Sequence, residues 1–301
     1  MDISLKQFTG SPDAIARLKM GFIGAGRLAT ALAWMLDGRG CSVHAVASRS
    51  ARNAEKLAGG VRDAAVLDAQ GVADCCDLVF ITTPDGAIAQ TADALSWRPE
   101  MGVVHCSGAT EVSVLAKAAS EGALIGGFHP MQAFVDPRAA MRTLPGCVIT
   151  IEARDPVLDE LLGELAQVLD CTAYRLPHGA RARYHAAAGY ASQHVNVLFA
   201  QAVRIWQSWG GTEEDALRAL LPLAYGTLAS IETSGAAQGM PGPVSRGDAG
   251  TIRRHVQALS DLGDGTIDLY RCICLHGVEV ALGAGKIDED AAARLREILS
   301  H

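Results

Sequence analysis

Lys19-Met-Gly-Phe-Ile-Gly-Ala-Gly-Arg-Leu-Ala-Thr-Ala-Leu-Ala-Trp34 decides the fold class. Apolar residues lead into Gly24-x-Gly26-x-x-Ala29, and an Ala/Leu-rich helical stretch follows at once. In that strand–turn–helix order, glycines let the backbone approach a pyrophosphate held at a helix N-terminus. The next strand-like run, from Ser42 to Ala47, ends in Ser48-Arg49-Ser50, about where a ribose should lie. An acidic residue there would accept the 2′-hydroxyl of NAD, and none is present. A guanidinium flanked by two hydroxyls suits a 2′-phosphate instead. The cofactor expected is NADP(H). Gly24, Ala25, Gly26, Arg27, Leu28 and Ala29 would lie at the pyrophosphate, and Ser48, Arg49 and Ser50 at the 2′-phosphate.

The chain has 301 residues, 49% of them hydrophobic and 20% charged, which allows two domains with full cores. A net charge of −7 argues against nucleic acid and anionic membrane as main partners. No apolar run reaches spanning length, and the first 19 residues lack the layout of a signal peptide. The eight cysteines never form Cys-x-x-Cys, and most sit among apolar neighbours. No metal site is expected, and a reduced, cytoplasmic location is.

Strand-like runs at 19–24, 42–47, 77–83, 101–106, 123–128, 147–151 and 171–176 alternate with helical stretches near 26–38, 50–58, 85–95, 110–120 and 155–169. Such alternation implies an α/β fold, a Rossmann-type, doubly wound and mostly parallel sheet with helices on both faces. Strand ends bearing Thr83-Pro84-Asp85, Ser107-Gly108 and His129-Pro130 should line the crevice at the carboxyl edge of that sheet. Beyond residue 178 no β-like run survives. Arg181 to Trp209 reads as one long helix ended by Gly210-Gly211, and Thr212 to Asp215 as a capping box. Helices follow near 248–260, 264–282 and 288–299. The domains expected are 1–178, binding NADP, and 179–301, all-α.

Three groups of residues suggest chemistry. Carbonyl reduction needs a hydride and a proton for the nascent alkoxide, and histidine can donate that proton near neutrality. His185, Gly189, Ser192 and Asn196 recur at helical spacing, so that His185 could supply the proton while Ser192 or Asn196 orients a substrate. His129 and Ser107, at strand ends, should reach the same crevice. In the loop Gly242-Pro-Val-Ser-Arg-Gly-Asp248, Arg246 could bind a carboxylate in bidentate fashion, and Asp248 is placed to cap the helix that follows. The ordinary alternatives are a buried interface histidine for His185, a turn residue for His129, a solvated arginine and a helix cap.

Taken together, Gly24-Ala-Gly26, Thr83-Pro-Asp85, His105-Cys-Ser-Gly108, Gly127-Phe-His-Pro130, Tyr184-His185 and Gly242-Pro243 through Arg246-Gly-Asp248 resemble a family of Rossmann-type oxidoreductases. Its members carry an all-helical C-terminal domain and belong to the 6-phosphogluconate dehydrogenase-like superfamily. Some act as alternative ketopantoate reductases. The resemblance implies NADP(H), an active site at the domain interface and a homodimer formed through the helical domain. Two departures stand out. Many relatives place a catalytic lysine on the first long helix of the second domain, whereas the only lysine here beyond Lys117 is Lys286. The family also tends to show Ser-Asn where this chain has Ser192-Gln193.

The expected activity is NADPH-dependent reduction of a small carboxylate-bearing carbonyl, a 2-oxo acid with ketopantoate as the named candidate. The alternatives are an imine or prephenate-type dehydrogenase, which His129-Pro130-Met131 echoes, and a non-catalytic NADP-binding sensor.

Overall fold

The computed structural model describes residue 5, residues 12–263 and residues 265–300. The first part runs α1 (Pro12–Arg17), β1 (Lys19–Ile23), α2 (Arg27–Gly38), β2 (Ser42–Ala47), α3 (Ala51–Ala58), β3 (Ala65–Val66), α4 (Ala69–Cys75), β4 (Leu78–Ile81), α5 (Ile88–Asp93), β5 (Gly102–His105), α6 (Ala116–Ser120), β6 (Leu124–Pro130), α7 (Pro137–Thr143), β7 (Val148–Ala153), α8 (Pro156–Val168) and β8 (Thr172–Arg175). Helices alone follow: α9 (Arg181–Ala191), α10 (Gln193–Gln207), α11 (Glu213–Ser234), α12 (Ala249–Ser260), α13 (Thr266–Gly283) and α14 (Glu289–Ser300).

The strands form one sheet in the order β3-β2-β1-β4-β5-β6-β7-β8. Every pairing is parallel except β6 with β7. All of β4 and β5 is buried, as parallel strands covered on both faces must be, which is why they read as unbroken apolar runs. On one face Phe22 of β1 stacks on Phe80 of β4, and Phe128 of β6 meets Phe80 edge to face. Ile23, Val79, Ile81 and Trp97 fill the other. The order reverses between β1 and β4, and at such a switch point an open α/β sheet leaves a crevice beyond its strand ends.

The doubly wound, mostly parallel sheet followed by helices is the fold class that the alternating pattern implies. Several elements differ from expectation. Two-residue β3 and seven-residue α4 and α7 are too short for periodicity to reveal. The stretches near 85–95 and 110–120 each begin as a 3-10 turn, at Asp85–Ala87 and Val112–Leu115, before turning α-helical.

The helix expected from Arg181 to Trp209 is two helices. Ser192 leaves helical geometry at φ −125° and ψ −89°, and its hydroxyl donates to the carbonyl of Ala188 at 3.1 Å. Such back-bonding from serine often accompanies a bend in a helix. The expected polar stripe is therefore interrupted: His185 and Gly189 lie on α9, and Asn196 on α10. The chain separates into two compact units at this point, residues 1–192 and 193–301, rather than at residue 178.

Candidate active site

The turn after β1 carries the first half of the site. Gly24 sits at φ +114°, and a Cβ there would stand 2.6 Å from the carbonyl carbon of Thr82, so the position requires glycine for the protein's own packing. Thr82 Oγ1 fixes the turn by donating to the carbonyl of Gly24 at 2.9 Å. Gly26 is different. It is the N-cap of the twelve-residue α2 with no side-chain cap, and a Cβ on it would meet no protein atom within 4 Å. Nothing inside the chain needs a glycine there. The helix N-terminus and its bare backbone face open space, which is the cradle a pyrophosphate fills.

A cleft of about 990 Å³ extends from this turn. Gly24, Ala25, Gly26, Arg27 and Leu28 line it at the switch point, Ser48 and Arg49 at the end of β2, and Thr83, Pro84 and Asp85 after β4. Cys106, Ser107 and Phe134 line it as well. Two of the residues expected at the cofactor lie elsewhere. Ala29 is fully buried in the core behind the turn, because side chains three positions into α2 face the sheet. Ser50 caps α3, its hydroxyl accepting from the backbone N–H of Asn53 at 3.3 Å. Arg27 reaches across the mouth and donates to the carbonyl of Val135 at 3.2 Å.

The second half of the site begins one residue past Ser107. The Ser107 hydroxyl accepts from the backbone N–H groups of Ala109 and Thr110 and donates to Thr110 Oγ1, so it shapes the turn that presents Gly108. A Cβ on Gly108 would stand 2.6 Å from Cδ2 of His185 and 2.9 Å from Nε2 of His129. Both imidazoles thus converge over one bare α-carbon, with ring centroids 6.0 Å apart. His129 Nδ1 is 2.8 Å from the Tyr184 hydroxyl. Burial, then the neighbouring His185 and the Arg181 charge, push His129 down to about 4, which makes it a neutral imidazole at physiological pH. Burial raises Tyr184 above the usual phenol value.

Beneath this cluster lies an ion pair that motif reading overlooked. Arg181 is fully buried; its Nε donates to Glu152 Oε2 at 2.7 Å and its Nη1 to the carbonyl of Ser107 at 2.7 Å. His178 Nδ1 stands 3.2 Å from the other Glu152 oxygen. The available signal was Gly127, a glycine inside a strand, where a Cβ would come within 1.8 Å of Arg181 Nη2.

The remaining expected residues are described by their local contacts. Ser192 is engaged in the bend after α9. In the second unit Asp248 caps α12, accepting from the backbone N–H of Thr251 at 2.9 Å, and this hydrogen bond holds its carboxyl below the usual value. That geometry matches a structural cap rather than a reacting group. Arg246 is exposed on the preceding turn, and Asn196 is exposed on α10.

Two domains known in other proteins match the chain. Residues 8–130 match the Rossmann-like domain, and residues 147–276 match the domain of unknown function DUF2520. No curated protein matches its sequence. Among solved structures, a Bacteroides fragilis protein to which NADP oxidoreductase activity is ascribed is 25% identical and superposes with a TM-score of 0.72, over 88% of this chain and 99% of that one. A reductive aminase from Aspergillus terreus, in complex with NADPH and ethyl levulinate, is 17% identical with a TM-score of 0.64, over 93% and 99%. A Plasmodium falciparum pyrroline carboxylate reductase with NADP bound is 11% identical with a TM-score of 0.61, over 94% and 99%. The last two likenesses concern the fold alone. The DUF2520 match begins at β7, inside the sheet, so it includes Glu152 and the α9 residues of the cluster.

Proposed function

We propose that this protein is an NADP(H)-dependent oxidoreductase that reduces a small carboxylate-bearing carbonyl, with a 2-oxo acid such as ketopantoate as the leading substrate class. One observation carries the reading. One cleft is lined both by the free glycine cradle of Gly26 and by Ser107, and the residue after Ser107 lies under two histidines. The Bacteroides fragilis relative supports the same cofactor.

The residues fit the dinucleotide. The α2 N-terminus and the backbone of Gly24 to Arg27 hold the pyrophosphate, and Ser48 with Arg49 holds the 2′-phosphate. When bound, NADPH supplies the hydride. His185, exposed above Gly108, donates the proton to the substrate oxygen. Neutral His129 accepts from the Tyr184 hydroxyl at Nδ1, which leaves its Nε2–H directed over Gly108 to hold that oxygen. The exposed face of α11 is where a second copy of the chain packs to form a homodimer.

The test is turnover of a panel of 2-oxo acids with NADPH, followed by absorbance loss. His185→Ala should cost on the order of 10²–10⁴ in turnover, the usual range for a lost general acid, with little change in NADPH affinity. Near-wild-type turnover in that variant would remove His185 from the reaction. Arg49→Ala should weaken NADPH strongly and NADH little; equal weakening of both would remove Arg49 from the 2′-phosphate.

A further inference from the structure

We propose that Arg181 is the positioning residue of this site: its buried guanidinium clamps the first turn of α9 to the Ser107 carbonyl and to Glu152, and so fixes Tyr184 and His185 against His129 over Gly108. The inference rests on the reading of His129 and His185 given above, and extends it to a residue that touches neither substrate nor cofactor.

The geometry is unusual for an arginine. The side chain is 0% exposed, and a charge in that position must be paired to be tolerated. Glu152 supplies the pairing from β7, directly opposite Gly127 in the register of the two strands. Gly127 in turn gives up its side chain so that Nη2 fits, and Nη2 has no hydrogen-bond partner among the described residues. Three separated pieces of chain are therefore joined at one planar group: the turn after β5, strand β7 and the start of α9. Tyr184 and His185 follow Arg181 by one helical turn. Their positions are set by where Arg181 is anchored.

The clamp also places a positive charge beneath the imidazoles. The groups facing His129 are Arg181, Tyr184 and His185 from α9, His105 from β5, and Glu152 from β7, whose carboxylate is shared by Arg181 and His178. Glu111, just before Val112–Leu115, lies beside Glu152 and His178. His105 is fully buried, and its Nδ1 accepts from the Ser107 N–H at 3.2 Å. Burial and then Arg181 push it down to about 3. Arg181 thus biases both rings toward the neutral form that the hydrogen bonds require. A lysine has the charge but not the fork that grips Ser107 and Glu152 together.

Histidine NMR on the full chain tests this without reference to turnover. In the wild-type protein the His129 and His105 rings should remain unprotonated at pH 5.5, where an ordinary histidine is mostly charged. Arg181→Met should move both titrations upward by roughly half a unit or more. Arg181→Lys should leave them low while lowering turnover at least about tenfold, through misplacement of His185. Ordinary titration of His129 in the wild type would overturn the proposal. So would unshifted titrations in an Arg181→Met protein whose circular dichroism is native. Should Arg181→Met not fold, wild-type turnover in Arg181→Lys would overturn the positioning role. An inactive wild-type protein with the expected titrations would instead count against the catalytic reading and leave the clamp standing.

Discussion

The two units of this chain bury their apolar residues very differently. In residues 1–192 the sheet is packed on both faces, and β1, β4 and β5 have hardly an exposed side chain. In residues 193–301 the buried cluster is small, with Ile252, Cys274, Val278, Ala292, Leu295 and Leu299 drawn from α12, α13 and α14. The longest helix, α11, buries Ala216 alone among its 22 residues, while Leu221, Leu223, Tyr225, Leu228 and Ile231 are exposed. Leu221, Tyr225 and Leu228 recur at helical spacing on one face of α11, and an exposed apolar face of that kind marks a contact with another molecule. The first unit completes its own core. The second leaves an apolar face open, which supports the proposed homodimer.

The largest expected effect breaks that contrast directly. Tyr225→Glu together with Leu228→Glu places four charges in a two-fold contact and should weaken the dimer by on the order of 4 kcal/mol or more. Light scattering on the eluting protein reads the mass; an unchanged mass for the variant, or a monomeric wild type, removes α11 as the contact. Next is Gly24→Val in the first unit. Strain at φ +114° and the close approach to Thr82 should cost about 3 kcal/mol of folding stability, read by urea unfolding; an unchanged midpoint would show that the turn tolerates a side chain.

Acid should act on the first unit before the second. His105 and His129 lie below their ordinary value of 6.5 when folded, so the unfolded chain binds protons that the folded chain does not. Their contribution is intact above pH 6.5 and is lost as pH falls from there toward 4 and 3. At pH 5 the loss is about 2 kcal/mol for each ring. Urea unfolding at pH 7 and pH 5 measures it, and His105→Asn should remove roughly half of the difference. Smallest is Asp248→Ala in the second unit, which removes the cap of α12 and should cost about 1 kcal/mol in the same assay, with turnover preserved. A turnover collapse in that variant would return Asp248 to the reaction.

Much of the first unit was legible because its signals are local. The Gly24 turn, the strand ends at Thr83 and Ser107, and the helical second half all follow from short-range pattern and composition. The break at Ser192 was not legible. Alanine-rich periodicity continues through it, and only the backbone dihedrals of Ser192 show the break. Nor did spacing show that Ser50 serves α3 and Ala29 the core, since glycine-motif position alone does not say which way a side chain faces.

The sequence by itself determined the alternating α/β half, the nucleotide turn with its Arg49 environment and the change to helices after the sheet. Those are consequences of glycine stereochemistry and hydrophobic period, and both act over a few residues. Only the tertiary structure decided the chemistry. Tyr184 meets His129 across 55 residues of sequence, and Arg181 reaches Ser107 across 74. Contacts of that range depend on how strands pair and how a buried charge finds its carboxylate. No local propensity encodes them, so His129, His185 and Arg181 become one site only when the sheet and α9 are packed together.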